Sequence, residues 1–219
     1  MPSPGGRGYA EGPCLAEFVA IVLAGIVHVA AEVFISEPVA LASSAGISVA
    51  FGLYVIARAW RTAGALRVWG MRRDNFGPAL RAQLGFAALG ALVLMAYGAA
   101  VESLSLPGTF WLTLALYPAW GVIQQFALQN LIARNLSGIL RNPLRLAAAA
   151  GLLFGASHYP RLDLVALTLV AGVCFTLIYR RHPNLWAVGI AHGILGSLAV
   201  YLVLQEDPGT ALLSWMRAP

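Results

Sequence analysis

Long apolar runs alternate along this chain with short gaps that carry arginine. Seven apolar segments stand out, at roughly 14–35, 39–60, 78–101, 110–136, 144–158, 164–180 and 185–204. A helix needs about 20 residues to cross the hydrocarbon core, so most of these suffice. The fifth and sixth are short, and the fifth fits a partly penetrating helix. Backbone in lipid must satisfy its own hydrogen bonds, which makes the segments helices rather than strands. The pattern predicts an all-α, polytopic membrane bundle of about seven transmembrane helices. It forms a single domain over 14–204, between a disordered Gly- and Pro-rich tail at 1–13 and a short C-terminal tail at 205–219. The first run is too long for a signal-peptide core and has no small-residue cleavage site after it, so it is expected to be a retained span.

Composition strengthens this picture. Of 219 residues, 59% are hydrophobic and 11% charged, with a mean hydropathy of +0.76. A soluble domain carries about 25% charged residues. The net charge of +5 comes from 14 arginines and no lysine. Because these lie between apolar spans, they read as topology determinants and not as a nucleic-acid face. Arg7, Arg58, Arg61, Arg67, Arg72, Arg73, Arg81, Arg134, Arg141, Arg145, Arg180 and Arg181 fall on one side under strict alternation, 12 of the 14. Glu37, Glu102, Asp163, Glu206 and Asp207 fall on the other. The bias places the N-terminus inside. The wealth of Ala, Gly and Arg points to a bacterial source, and so to a bacterial inner membrane. Trp60, Trp111 and Trp186 sit at span ends, where amphipathic rings favour the interface. Residues 61–76, with Trp69 among arginines, read equally well as a helix lying on the inner surface or as a solvated loop. Cys14 and Cys174 show neither disulfide nor metal spacing.

The chemistry lies in polar residues embedded in apolar runs, which are costly there and mark functional hypotheses. The fourth segment holds Gln124, Gln125 and Gln129, and the last two, four apart, share a helix face. Interhelical hydrogen bonding is the plain reading of such amides. The fifth holds Gly151, Phe154, Gly155 and His158, and the seventh holds Gly189, His192, Gly193 and Gly196. His158 stands three residues after Gly155, the second glycine of one small-xxx-small pair, and His192 three after Gly189, the first of the other. Two such helices packed on one another would bring His158 and His192 together; either histidine alone reads as a satisfied core residue. At about 1.5 Å per residue, Gln124 and His192 lie at equal depth, roughly 10 Å from the inner boundary, and His158 at roughly 20 Å. His158 therefore has two options. Its helix starts deeper and joins the others, or it pairs with His28 and Glu32 in an outer polar cluster. Glu32 and Glu17 each read also as headgroup-level residues. Two histidines and three amides are a poor donor set for a metal, so no metal or cofactor is expected.

The segment from Gln124 to about Leu204 resembles the CPBP intramembrane proteases, which include CAAX-processing enzymes and bacteriocin-immunity (Abi) proteins. That family carries Glu-Glu-x-x-x-Arg, then Phe-x-x-x-His, then His-x-x-x-Asn. Here Phe154-Gly155-Ala156-Ser157-His158 is intact, and the approach from Asn184 to His192 looks alike. Gln124 and Gln125 stand at the two Glu positions, Gln129 at the Arg position and Gly196 at the final Asn position. The resemblance implies peptide-bond hydrolysis on a membrane-delivered substrate, a hydrophobic or lipidated peptide or a membrane protein partner, within surrounding lipid. It implies His158 as water-activating base, His192 as oxyanion donor, Gln124 and Gln125 as orienting groups, and Gln129, Phe154 and Gly196 as substrate contacts. An amide cannot take a proton as a carboxylate does. The alternative is thus a pseudoprotease that binds such a peptide without cutting it. A transporter is disfavoured, since there is no inverted repeat and no charge-lined path.

Overall fold

The computed structural model describes residues 12–35 and 37–217, so most of the tail expected at 1–13 lies outside the described residues. Every regular element described is helical. The order is α1 (Leu15–Phe34), α2 (Glu37–Arg61), α3 (Ala65–Val68), α4 (Phe76–Ala100), α5 (Thr109–Phe126), a π-helical segment (Ala127–Ala133), α6 (Arg134–Leu136), α7 (Pro143–Ala156), α8 (Leu162–Arg181), α9 (Leu185–Leu202) and α10 (Pro208–Arg217). Four of these, α1, α4, α8 and α9, are long and apolar enough to cross a membrane. α2, α5 and α7 are the further apolar helices of the bundle. At 14 residues, α7 spans about 21 Å at 1.5 Å per residue, less than the hydrocarbon thickness. Large apolar side chains stand exposed along α1, α4 and α5, as lipid-facing helices require. Trp60, Trp111 and Trp186 are exposed near helix ends.

The chain divides into two compact units. The first comprises 1–72 and 127–177, the second 73–126 and 178–219. In the first, the π segment, α6 and α7 bury Leu128, Ile132, Leu136, Leu146, Ala150 and Phe154, and α1 covers them with Phe18 and Ile21. A polar knot ties the N-terminal end of α1 to α2 and α6. The Glu17 carboxylate accepts from Tyr54 Oη and from Asn135 Nδ2 at 3.0 Å, and pairs with Arg58 at 3.7 Å. Asn135 Oδ1 in turn accepts the Cys14 N–H at 2.8 Å, an orphan donor before the first turn of α1. Glu17 thus anchors three elements from a half-buried position. Residues 61–76 include a single four-residue helix, α3, whose Ala65 is buried, and Trp69 beside it is 3% exposed. Asn130 Nδ2 donates to the Trp69 carbonyl at 3.3 Å. Ala65, Trp69 and Gly70 are thus fixed against the protein, while most of the stretch around them is exposed. α7 and α8 form a hairpin through the first glycine pair. A Cβ on Gly151 would lie 2.8 Å from the Leu169 carbonyl oxygen, and one on Gly155 would lie 2.9 Å from that of Val165.

In the second unit α4 and α9 run parallel. Asn75 Nδ2 donates to the Pro183 carbonyl at 3.1 Å and Asn184 Nδ2 to Asn75 Oδ1 at 2.9 Å. Further along, Gly90 abuts Leu195 and Gly98 abuts Leu202. α5 and α9 make the closest pairing of the unit, because α9 presents glycine where α5 presents proline. A Cβ on Gly193 would lie 2.6 Å from Pro118 N and 2.7 Å from its Cα, and one on Gly121 would lie 2.5 Å from the Gly189 carbonyl oxygen. Pro118 has no N–H to hydrogen-bond within α5, and glycine has no side chain to hold the backbones apart. The two glycine faces found in the sequence therefore have different partners, α8 for one and α5 for the other, instead of packing on each other.

The C-terminal stretch expected as a short tail contains α10. Asp207 caps it: its Oδ1 accepts from Thr210 N at 2.9 Å and from Tyr201 Oη at 2.8 Å, and its Oδ2 from Thr210 Oγ1 at 2.7 Å and Thr109 Oγ1 at 2.9 Å. The Thr210 backbone N–H first, then the Thr210, Tyr201 and Thr109 hydroxyls, hold the Asp207 carboxyl well below the usual aspartate range. A depressed folded pKa stabilises the fold above the unfolded value of about 3.9, and the contribution is lost as pH falls through the folded value. Thermal melts of the detergent-solubilised protein should lose stability below about pH 4, and Asp207→Asn should flatten that acid limb.

A second outcome follows from the α5–α9 contact. Gly193→Ala forces backbones apart and should cost about 1–3 kcal/mol, read as a lowered Tm. Gly25→Ala, where a Cβ meets nothing within 4 Å, should be neutral or better.

Candidate active site

α7 ends at Ala156, which leaves late carbonyls without helical partners. The His158 backbone N–H turns back to Gly155 O at 2.9 Å, and that of Ser157 to Leu153 O at 3.1 Å. The Phe154 carbonyl is taken up by side chains instead. Ser157 Oγ donates to it at 2.8 Å, and His158 Nδ1 reaches it at 2.8 Å. A carbonyl only accepts, so Nδ1 carries the proton and neutral His158 presents a bare Nε2. The Phe154 ring meets the imidazole edge to face, with centroids 4.9 Å apart at 83°. The Phe-x-x-x-His spacing thus has a local cause: one residue supplies both a wall and a carbonyl that set the ring of the other. His158 is half-buried, and His28 on α1 is its electrostatic neighbour within the first unit. Glu32 is exposed.

The second histidine is set in the opposite sense. Gln125, fully buried at the end of α5, places Nε2 3.0 Å from His192 Nδ1 on α9. A carboxamide N–H donates, so Nδ1 accepts and the ring proton sits on Nε2. His192, 7% exposed, therefore offers an N–H where His158 offers a lone pair. Gln124, the neighbour of Gln125, is half-buried. Gly196 packs on Tyr117, and a Cβ at that position would lie 2.5 Å from the ring. The aromatic ring therefore occupies the space that a longer residue at 196 would need.

The structure brings Gln125 and His192 together in the second unit, alongside Gln124 and Gly196. Phe154 and His158 come together in the first, which also holds Gln129. Gln129 lies buried in the π segment, whose i→i+5 bonding departs from the regular spacing assumed for Gln125 and Gln129. Among the described residues, no group of three or more His, Cys, Asp or Glu could hold a metal ion. Ser157 and Tyr117 escaped notice in the sequence because neither is polar enough, or isolated enough, to stand out there.

Residues 106–198 match the family model described as type II CAAX prenyl endopeptidase Rce1-like. Over that segment the chain is similar to the type II CAAX prenyl endopeptidases. With four helices long and apolar enough to cross a membrane, the protein is an integral membrane protein. No curated protein and no solved structure matches the chain.

The His192 setting is open to a spectroscopic check. In 15N NMR of the labelled protein in detergent, His192 should show the Nε2–H tautomer. In Gln125→Glu, a carboxylate accepts and the proton should move to Nδ1; an unchanged spectrum would contradict the assigned pairing.

Proposed function

We propose that this protein is an intramembrane endopeptidase that cleaves a hydrophobic or lipidated peptide, of the CAAX type that its family name describes. It would act in the inner membrane of a bacterium, with its N-terminus inside. The observation that carries the reading is the opposite setting of the two imidazoles. The reaction needs one group that takes a proton and one that gives a hydrogen bond. By resemblance to the CAAX-type proteases, His158 Nε2 has the role of taking the proton of the attacking water as hydroxide adds to the scissile carbonyl carbon, and His192 Nε2–H that of stabilising the oxyanion. When the intermediate collapses, the C–N bond breaks and the proton on His158 leaves with the amine. Gln125 holds His192 in its tautomer, Gln124 orients the water, and Phe154 sets His158. Gln129 contacts the substrate, and Gly196 contributes by seating Tyr117.

The carboxamides at 124 and 125 favour a second reading, a scaffold that binds the same peptide and leaves it whole. Losing a general base typically removes about 10²–10⁴ in rate. Cleavage of a dansyl-labelled, S-farnesylated CAAX peptide by the purified protein in nanodiscs separates the two. The peptidase reading expects slow cleavage that falls at least about 100-fold in His158→Ala. No cleavage by the wild type, with cleavage appearing in Gln124→Glu, would establish the scaffold instead.

A further inference from the structure

α5 and α10 enclose a cleft of about 170 Å³ within the second unit. Leu112, Leu116 and Trp120 form one wall, a single stripe of α5 at four-residue spacing. Tyr117 beside them, with Gly209 and Leu212 of α10, continues the lining. Pro118 and Gly121 meet α9 on the opposite side of α5, so the stripe faces away from that close contact. Leu116 is 51% exposed and Trp120 42%, which leaves the cleft open to the surroundings of the helix. Its side chains are apolar save for two hydroxyls. One of these, Thr113 Oγ1, is already engaged, 3.0 Å from Tyr201 Oη and 3.4 Å from the Thr109 carbonyl. An apolar cavity of about 150 Å³ stays dry and takes up benzene. This cleft therefore suits a segment of hydrocarbon chain, from a molecule lying beside α5 in the membrane.

Charge decides which molecule. A chain that enters the cleft from a bilayer leaves other hydrocarbon, so burial alone discriminates little between lipids. Selection falls to the headgroup. The connections at this end of the unit, 101–109 and 203–210, hold Glu102, Glu206 and Asp207 and no arginine, lysine or histidine. The next basic residue along the chain is Arg217, at the far end of α10. Asp207 is taken up by its donors. Glu206 is exposed. Its backbone N–H turns back to Val200 O at 3.1 Å, just after Gln205 with its φ of 55°. There Glu206 is the electrostatic neighbour of Tyr117, which lines the cleft. A carboxylate has about four acceptor sites, so an ammonium can join whatever else Glu206 meets.

We propose that this cleft binds one acyl chain of a phospholipid whose headgroup carries a primary amine, with the ammonium at Glu206. The chain lies along Leu112, Leu116 and Trp120. An ethanolamine headgroup donates N–H bonds to the carboxylate, whereas a choline headgroup of the same net charge has no N–H to donate. A glycerol headgroup leaves the negative phosphate unbalanced beside Glu102 and Glu206, where like charges repel. Tyr117 lies between the cleft and Gly196, so the lipid sits one side chain away from α9. The inference stands whether or not the protein cleaves a peptide.

The test is native mass spectrometry of the full-length protein in detergent, titrated with phosphatidylethanolamine, phosphatidylcholine and phosphatidylglycerol of identical acyl chains. The first bound ethanolamine lipid should have a Kd about three- to fivefold below that of the choline lipid, as one exposed ion pair allows, and the glycerol lipid should bind most weakly. Glu206→Gln should raise the ethanolamine Kd to the choline value. Leu116→Trp, which fills the cleft, should weaken all three lipids at least about threefold. Its Tm should stay within about two degrees of the wild type, because residue 116 is exposed. Location is read by fluorescence: ethanolamine lipid with dibrominated chains should quench tryptophan emission saturably, and Trp120→Phe should remove the saturable part. Equal Kd values for the ethanolamine and choline lipids, or a preference that survives Glu206→Gln, would overturn the inference. So would unchanged binding in Leu116→Trp, or saturable quenching that persists in Trp120→Phe. Tightest binding of the glycerol lipid would also overturn it, moving the site to the arginines. Displacement of the ethanolamine lipid by the S-farnesylated peptide would overturn it as well, marking the cleft as part of a substrate site, and retention of the lipid would support it.

Discussion

The closeness of α5 and α9 is the constraint on which the second unit depends. Two helices with ordinary side chains between them stand about 8–10 Å apart. Here Gly121, Gly189 and Gly193 remove those side chains, and Pro118 offers a ring nitrogen with no hydrogen to accommodate. Only at that separation does the short arm of Gln125 reach His192 Nδ1. Packing in lipid has no hydrophobic drive of its own, so van der Waals fit of this kind has to supply it. One geometry therefore serves both cohesion and the orientation of the His192 ring.

Polar groups do comparable work at the helix ends. Glu17, Tyr54, Arg58 and Asn135 lock α1 to α2 and α6, whereas α1 otherwise buries little but Ala31. Asp207 does the same for α10 by collecting donors from three elements. Both carboxylates satisfy backbone or hydroxyl donors that would be orphaned beside lipid. Each therefore joins elements that apolar contact alone would leave loosely held.

The seven apolar runs became helices within a few residues of where hydropathy drew them, because a backbone in lipid has few alternatives. Phe154 with His158, and Gln125 with His192, were visible as spaced polar residues in apolar surroundings. What each glycine face meets was not visible. Small-xxx-small spacing reports that a helix can be approached, and says nothing about which helix approaches. The partners of Glu17 were not legible, because a carboxylate near a span end looks the same in sequence whether or not donors from distant sequence meet it. Gln83 went unremarked although it lies buried in an apolar helix as Gln125 does, with Ala79 and Ala87 four residues on either side as the available clue. The π segment left no mark, since i→i+5 bonding arises from packing rather than from residue type. α10 was hidden by its brevity, and Asp207 with Thr210 three residues on was its one local signal.

Tyr117 and Gly196 make two positions behave as one. The ring lies where a side chain at 196 would begin, so a longer residue there requires the ring to swing away or residue 117 to shrink. Changes at 117 and 196 are therefore energetically coupled, and the effect of either depends on which residue occupies the other.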